Sequence, residues 1–332
     1  MKKAFITGIT GQDGSYLAEF LLKKGYEVHG LARRLSKPNY SNLENILDDI
    51  TLHVGDVTDS ASLYDIAKSV QPDEVYNLAA MSYVKASWDS PITAVDITGI
   101  GCLRMLEAFK DSGCKFYQAG SSEQFGNYSG GEIITEDTRM NPRSPYGCAK
   151  VLAHNLTTNY RESYNMFAMT GILFNHESER RGYEFVTRKI SDGVAKIKLG
   201  ITDKLVLGNI ESIRDWGYAP DYIEAMWMMM QQDTPQDFII ATGVTHTVEE
   251  FIESAFKHAG LEDWKSYVEF NSPDCLRPAE LDWLRGDASK AEKVLGWKPT
   301  VPFEQLVKLM VDSDIDIVTK AQKIHGYWTE DE

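Results

Sequence analysis

Short apolar runs alternate with amphipathic stretches through the first half of the chain. Five runs have the length and apolar character of β-strands: Lys3–Thr7, Glu27–Ala32, 51–54, 74–78 and Lys115–Ala119. Between them apolar residues recur at helical spacing, for example over 15–24 and 60–69. That spacing returns over 146–164, ahead of a further apolar run at Ala168–Leu173. Strand–helix alternation of this kind predicts βαβ units, and so an α/β fold with a doubly wound parallel sheet covered by helices on both faces. Past residue 175 the pattern changes. Segments rich in Gly, Pro, Asn and Arg appear at 175–183, 208–221 and 271–287, and are expected to be loops. The predicted organisation is a sheet domain over 1–175 and a smaller, mainly C-terminal α/β lobe over 176–332, with 208–250 partly returning to the first domain.

The first strand–helix junction reads Thr7-Gly8-Ile9-Thr10-Gly11-Gln12-Asp13-Gly14, a GxxGxxG spacing. Glycines there let the backbone approach a pyrophosphate, and the helix N-terminus offers N–H donors, so this is a Rossmann-type dinucleotide signature. The second strand runs out into Arg33-Arg34 with no acid to read a ribose 2′-hydroxyl. Guanidinium forks suit a phosphate, which favours NADP over NAD. Asp56-Val57 follows the third strand and Leu78-Ala79-Ala80-Met81-Ser82 the fourth, both on the side where a cofactor would pass.

Composition narrows the partners. The 332 residues carry 34 Lys plus Arg against 49 Asp plus Glu, a formal charge of −15, which argues against nucleic acid or an anionic membrane as partner. The four cysteines form no CxxC pair, so neither a metal site nor a disulfide framework is expected, and free thiols fit a reducing cytoplasm. No leader-like segment and no run of roughly 18 apolar residues is present.

The candidate chemistry sits downstream of the glycine motif. Tyr146 and Lys150 form a YxxxK pair on one helix face. An ammonium beside a phenol is expected to favour phenolate and make the tyrosine a base. The fifth strand ends in Ser121-Ser122-Glu123. The Ser121 hydroxyl can share a proton with Tyr146. Glu123 adds a carboxylate suited to removing a proton α to a carbonyl, which a simple alcohol dehydrogenase does not need.

On these motifs the chain resembles the extended short-chain dehydrogenase/reductases and, within them, the GDP-mannose 4,6-dehydratase family. The resemblance runs through SSEQFG (121–126), RSPYGCAK (143–150), NYRESYNMFAMTGILFNHESERRG (159–182), LGNIESIRDWGYAPDY (207–222) and RPAE (277–280), among others. It implies a lyase with bound NADP. Tyr146, assisted by Ser121 and tuned by Lys150, opens oxidation at C4 of the sugar, Glu123 removes the C5 proton, water leaves from C6, and the hydride taken from C4 returns to C6. It places Gly8, Thr10, Gly11, Gln12, Asp13, Arg33, Asp56, Val57, Leu78, Ser82, Lys150, His176 and Arg181 at cofactor positions. Asn175, Lys189, Arg214, Arg277 and Glu280 fall at positions that hold the GDP-sugar. It further implies a homodimer, or a tetramer if the departing 35–40 loop reaches a neighbouring subunit. Ser121, Gly120, Met81, Tyr83 and Thr93 depart from the usual pattern, and changes at 81 and 83 bear on the sugar more than on the reaction. A dehydratase of another nucleotide sugar, such as a GDP-heptose or GDP-N-acetylhexosamine, stays open beside GDP-mannose. Glu123 argues against an epimerase or reductase. The intact set of Tyr146, Lys150 and Glu123 argues against a non-catalytic binding protein.

Overall fold

A computed structural model describes residues 1–127 and 132–329. Seven strands build the main sheet: β1 (Lys3–Thr7), β2 (Glu27–Ala32), β3 (Ile50–Val54), β4 (Glu74–Asn77), β5 (Lys115–Ala119), β6 (Ala168–Leu173) and β10 (Phe238–Ile240). Their order is β3-β2-β1-β4-β5-β6-β10, and every pairing is parallel. The strands run as near-continuous apolar segments because helices cover both faces. Side-chain alternation splits them between two cores. Ile6, Tyr76 and Tyr117 face a cluster with Leu17 and Leu21 of α1 (Gln12–Lys23) and with Tyr222 and Met226 of α8 (Ala219–Met230). Phe5, Val75 and Phe116 face the other side, against α2 (Ser60–Val70), α5 (Gly101–Phe109) and α6 (Pro145–Tyr164).

The connection from β4 to α5 is two short helices, α3 (Val84–Asp89) and α4 (Pro91–Val95), then a π-helical stretch at Asp96–Ile100. A third apolar cluster joins α7 (Val186–Lys198), α9 (Val248–Ala259) and α11 (Phe303–Thr329) around Trp216. Small sheets flank it: β7 (Asn175–Glu177), β9 (Ile213–Tyr218) and β11 (Thr245–Thr247) form one, β8 (Leu205–Val206) and β12 (Val268–Glu269) the other. A last helix, α10 (Ser289–Leu295), packs near β10.

Two segments expected to be loops contain structure. The stretch 175–183 opens with β7, and 208–221 contains all of β9 and the start of α8. The reason lies in Asp215. Its buried carboxylate accepts from the N–H and hydroxyl of Thr242 and from the N–H of Gly243 and Gly286. A charged residue that would normally break a strand pattern is thereby satisfied inside one. Helix α8 and strand β10 lie with the main sheet. Among the described residues no helix is long and apolar enough to cross a membrane, and no cluster of His, Cys, Asp or Glu could hold a metal ion.

Candidate active site

The carboxyl ends of the parallel strands open into a single elongated cavity of about 990 Å³. That is the edge at which doubly wound sheets bind their ligands. All the residues that the resemblance placed at catalytic, cofactor and substrate positions line it, whereas Arg34 does not. Gly8, Thr10, Gly11, Gln12 and Asp13 come from the β1–α1 turn, Arg33 from the end of β2, Asp56 and Val57 from beyond β3, and Leu78 and Ser82 from beyond β4. Ser121 and Glu123 follow β5, Tyr146 and Lys150 lie on α6, and Asn175, His176 and Arg181 lie in and after β7. Lys189 on α7, Arg214 on β9, and Arg277 and Glu280 on the loop beyond β12 complete the wall.

The β1–α1 turn fits a dinucleotide. Gly8 sits at φ +70°, and a Cβ on Gly14 would fall 2.3 Å from the Gly8 carbonyl oxygen, so the turn closes only with glycine there. No side chain caps the α1 N-terminus at Gly11. The first-turn N–H groups therefore face the cavity as anion donors. The Asn42 amide, also on the cavity wall, donates to the Thr10 carbonyl at 3.1 Å and braces the turn. Arg33 is exposed at the mouth and also lines, with Arg34, a smaller groove beside Asp56. The Asp56 carboxylate caps its own loop by accepting from the N–H and hydroxyl of Thr58.

Asp13 and His176 tie the turn to β7. Asp13 Oδ2 lies 2.8 Å from His176 Nε2, while His176 Nδ1 faces the Phe174 carbonyl at 2.8 Å. Gln12 Nε2 reaches both Asp13 and the His176 carbonyl. Burial acts to raise the Asp13 carboxyl, but the imidazole and the Gln12 amide outweigh it and hold it at about 2. Burial likewise acts to lower His176, and Asp13 more than reverses that. A depressed carboxyl contributes stability in full above its unfolded pKa and loses it as pH falls through the folded value. Asp13 therefore stabilises the fold by about 2 kcal/mol, a contribution lost between about pH 4 and about pH 2. Asp13→Asn should lower unfolding free energy at about pH 6 by that amount and flatten this part of the acid-unfolding profile. Urea titrations across the range measure it.

The Ser121 hydroxyl and the Tyr146 phenol line the same cavity, and the hydroxyl acts to lower the phenol's pKa. Tyr146 is 7% exposed, and Lys150, on the next turn, is 3% exposed. The Lys150 ammonium donates to the Ala119 carbonyl at 2.7 Å and sits 5.6 Å from the Tyr146 ring centroid. Burial lowers it to about 8. Burial also pushes the Tyr146 phenol well up, and the Ser121 hydroxyl offsets only part of this. The Lys150 ammonium is thus directed at a backbone carbonyl rather than at the phenol oxygen.

Glu123 sits in a single turn of 3₁₀-helix, Ser122–Gln124, closed by a capping box between Ser121 and Gln124. Its Oε1 lies 3.3 Å from an Arg277 guanidinium nitrogen and its Oε2 3.4 Å from the Ser144 hydroxyl. Beyond it the wall turns basic. Arg214 is buried and makes no ion pair among the described residues; its guanidinium donates to the Ile213 carbonyl at 2.8 Å. Burial and the like charge of Arg277 lower it to about 10, against the pull of Glu123, Glu280 and Asp282. Glu280 accepts from the Arg277 backbone N–H, and the Lys189 ammonium rests 3.5 Å from the Cys275 sulfur. Arg181 pairs with Glu177 at 3.0 Å and stacks on Phe185. Arg214, Arg277 and Lys189 together line this end of the cavity, cations suited to a dianion.

The chain matches the family described as GDP-mannose 4,6 dehydratase over residues 5–310. The chain belongs to the GDP-mannose 4,6-dehydratase family. Curated relatives agree: GDP-mannose 4,6 dehydratase 2 of Arabidopsis thaliana is 52% identical over 97% of this chain and 89% of its own length. The Homo sapiens GDP-mannose 4,6 dehydratase is 48% identical over 95% and 92%, and that of Vibrio cholerae serotype O1 is 47% identical over 98% and 97%. The fold is shared more widely. Thermus thermophilus UDP-glucose 4-epimerase, in complex with NAD, superposes at TM-score 0.84 with 23% identity, over 94% of this chain and 98% of that one. Bacillus anthracis dTDP-glucose 4,6-dehydratase, in complex with NAD, superposes at 0.83 with 21% identity, over 94% and 96%.

Sequence reasoning missed several contributors to the site. Asn42, Ser144, Glu177 and Cys275 all touch residues it had named. Of these, only Ser144 carried a legible signal, because Ser-Pro ahead of a helical pattern marks an N-cap.

Proposed function

We propose that this protein is an NADP-containing hydro-lyase that converts GDP-mannose to GDP-4-keto-6-deoxy-mannose and water. The observation that carries the reading is one cavity with two ends. Tyr146, Ser121 and Glu123 lie together beside a dinucleotide turn, and Arg214, Arg277 and Lys189 lie beyond them where a nucleoside diphosphate needs cations.

In this reading Arg214, Arg277 and Lys189 take the diphosphate, with Glu280 and Asn175 on the nucleoside side. Tyr146 accepts the O4 proton of the hexose, sharing it with the Ser121 hydroxyl. Lys150, anchored on Ala119, holds a positive charge behind the phenol and offsets the oxyanion as it forms. Held by the β1–α1 turn, Arg33 and the residues beyond β3 and β4, a bound nicotinamide would supply the hydride acceptor for C4 and the hydride donor for C6. The C4 ketone acidifies C5–H, Glu123 removes that proton, and the protonated Glu123 hands it to the departing C6 hydroxyl, which leaves as water. The enolate left once C6 has received its hydride takes one proton from solvent at C5, and Tyr146 releases the O4 proton to solvent to close the cycle. A homodimeric assembly and a cytoplasmic setting belong to the same reading.

Two experiments test it. Mass spectrometry of GDP-mannose incubated with the protein, without added reductant, should find loss of one water; an unchanged nucleotide sugar would remove GDP-mannose as substrate. Calorimetric titration of cofactor-free protein should find NADP bound more tightly than NAD. Arg33→Gln should weaken NADP by about 10–100-fold while leaving NAD nearly unchanged. Equal losses for the two cofactors would remove Arg33 from 2′-phosphate recognition.

A further inference from the structure

The start of α6 is built onto the turn that carries Glu123. Ser144 is the N-cap of α6, its oxygen accepting from the Gly147 N–H at 3.0 Å. The lone pair used there leaves the hydroxyl proton free to point elsewhere. At 4% exposure, the carboxylate it finds is Glu123, whose Oε2 lies 3.4 Å away. That is long for a hydroxyl–carboxylate bond, as catalytic hydrogen bonds often are before the substrate arrives. Gly147 packs on the same turn from above. A Cβ at this position would come 2.7 Å from the Glu123 carbonyl oxygen, so glycine there lets the helix start sit directly on the Glu123 backbone. The neighbouring N–H of Tyr146 is capped from the far side by the Ser87 hydroxyl at 3.3 Å. Phenol and carboxylate are thus mounted on one docked unit, and one serine bonds both the helix carrying Tyr146 and the side chain of Glu123.

We infer that Ser144 is a positioning residue that aims the Glu123 carboxylate at the substrate carbon through its hydroxyl, separately from its role in capping α6. The inference rests on the dehydratase reading for its chemistry. On the other side Arg277 holds Oε1, but Arg277 is also the residue that meets the diphosphate. Ser144 is the partner that stays with Glu123 whatever the nucleotide does. Its loss lets the carboxylate swing toward Arg277 and away from the C5 hydrogen.

Three variants separate the two roles. Glycine is nearly as good an N-cap as serine, whereas alanine is poor. Ser144→Gly therefore keeps the helix start and removes the hydroxyl, Ser144→Ala loses both, and Ser144→Thr keeps both. Ser144→Gly and Ser144→Ala should each lower kcat for dehydration about tenfold, with KM within about twofold. Only Ser144→Ala should lower the melting temperature, by about 2–4 °C. Ser144→Thr should recover kcat. Wild-type turnover in Ser144→Gly, with kcat tracking melting temperature across the set, would reduce Ser144 to a cap and overturn the inference. A crystal structure of Ser144→Gly reads the geometry without any assay. The Glu123 side chain should rotate away from α6 while the helix stays in place, and an unmoved Glu123 would overturn the inference whether or not GDP-mannose is the substrate. Wild-type protein that leaves GDP-mannose unchanged would count against the functional reading, and the crystal structure would still decide the role of Ser144.

Discussion

Replacing Glu123 by Gln should lower dehydration turnover by about 10²–10⁴-fold and make a 4-keto hexose nucleotide accumulate on the protein. The substitution preserves shape and leaves an oxygen for the Ser144 hydroxyl, so the loss falls on the proton that an amide cannot take. Oxidation at C4 depends on Tyr146 and Ser121, which the change does not touch, so the reaction should advance one stage and stop. Arg277 loses its 3.3 Å carboxylate partner, and nucleotide affinity should hold or rise as the guanidinium turns to the diphosphate. Quenched-reaction mass spectrometry distinguishes a retained C6 hydroxyl from its loss. Full turnover in this variant would remove Glu123 from proton transfer.

The second large effect is expected earlier on the path. Tyr146→Phe should also cost about 10²–10⁴-fold, but with no 4-keto species at all. The ring is buried against the Lys150 ammonium, and phenylalanine preserves that packing and the cation–π contact. What disappears is the phenol oxygen that accepts the O4 proton. The Ser121 hydroxyl alone has no base behind it. The pair of variants therefore orders the steps. One should stall after oxidation and the other before it, while both keep binding the nucleotide. A 4-keto product from Tyr146→Phe would transfer the base role to another group.

Most of the sheet was legible because a buried parallel strand is a short apolar run between turn signals, and β1 to β6 all have that form. The β1–α1 turn was legible because few residues can satisfy its geometry, and Gly14 against the Gly8 carbonyl shows why. Strand β9 was not. Its Ile-Arg-Asp-Trp-Gly-Tyr run looks like a loop until the donors from 242, 243 and 286 gather on Asp215, and those contacts are far apart in sequence. The short helices of 84–95 were hidden for a related reason: two helices of five or six residues give periodicity too little length to register. In the site, residue types announced chemistry but not pairing. Tyr146 and Lys150 were identifiable from their spacing, yet the direction of the Lys150 ammonium toward Ala119 depends on where β5 ends. The link between Glu123 and Arg277 spans 154 positions and had no local signal.

The central claim is that hydrogen leaves C4 and returns to C6 of the same sugar within one cavity. GDP-mannose deuterated at C4, incubated with the protein and unlabelled NADP without reductant, tests it directly. The account predicts a product that has lost one water and kept the deuterium, now on C6. Deuterium lost to solvent or left in the cofactor, or a substrate that loses no water, would contradict it.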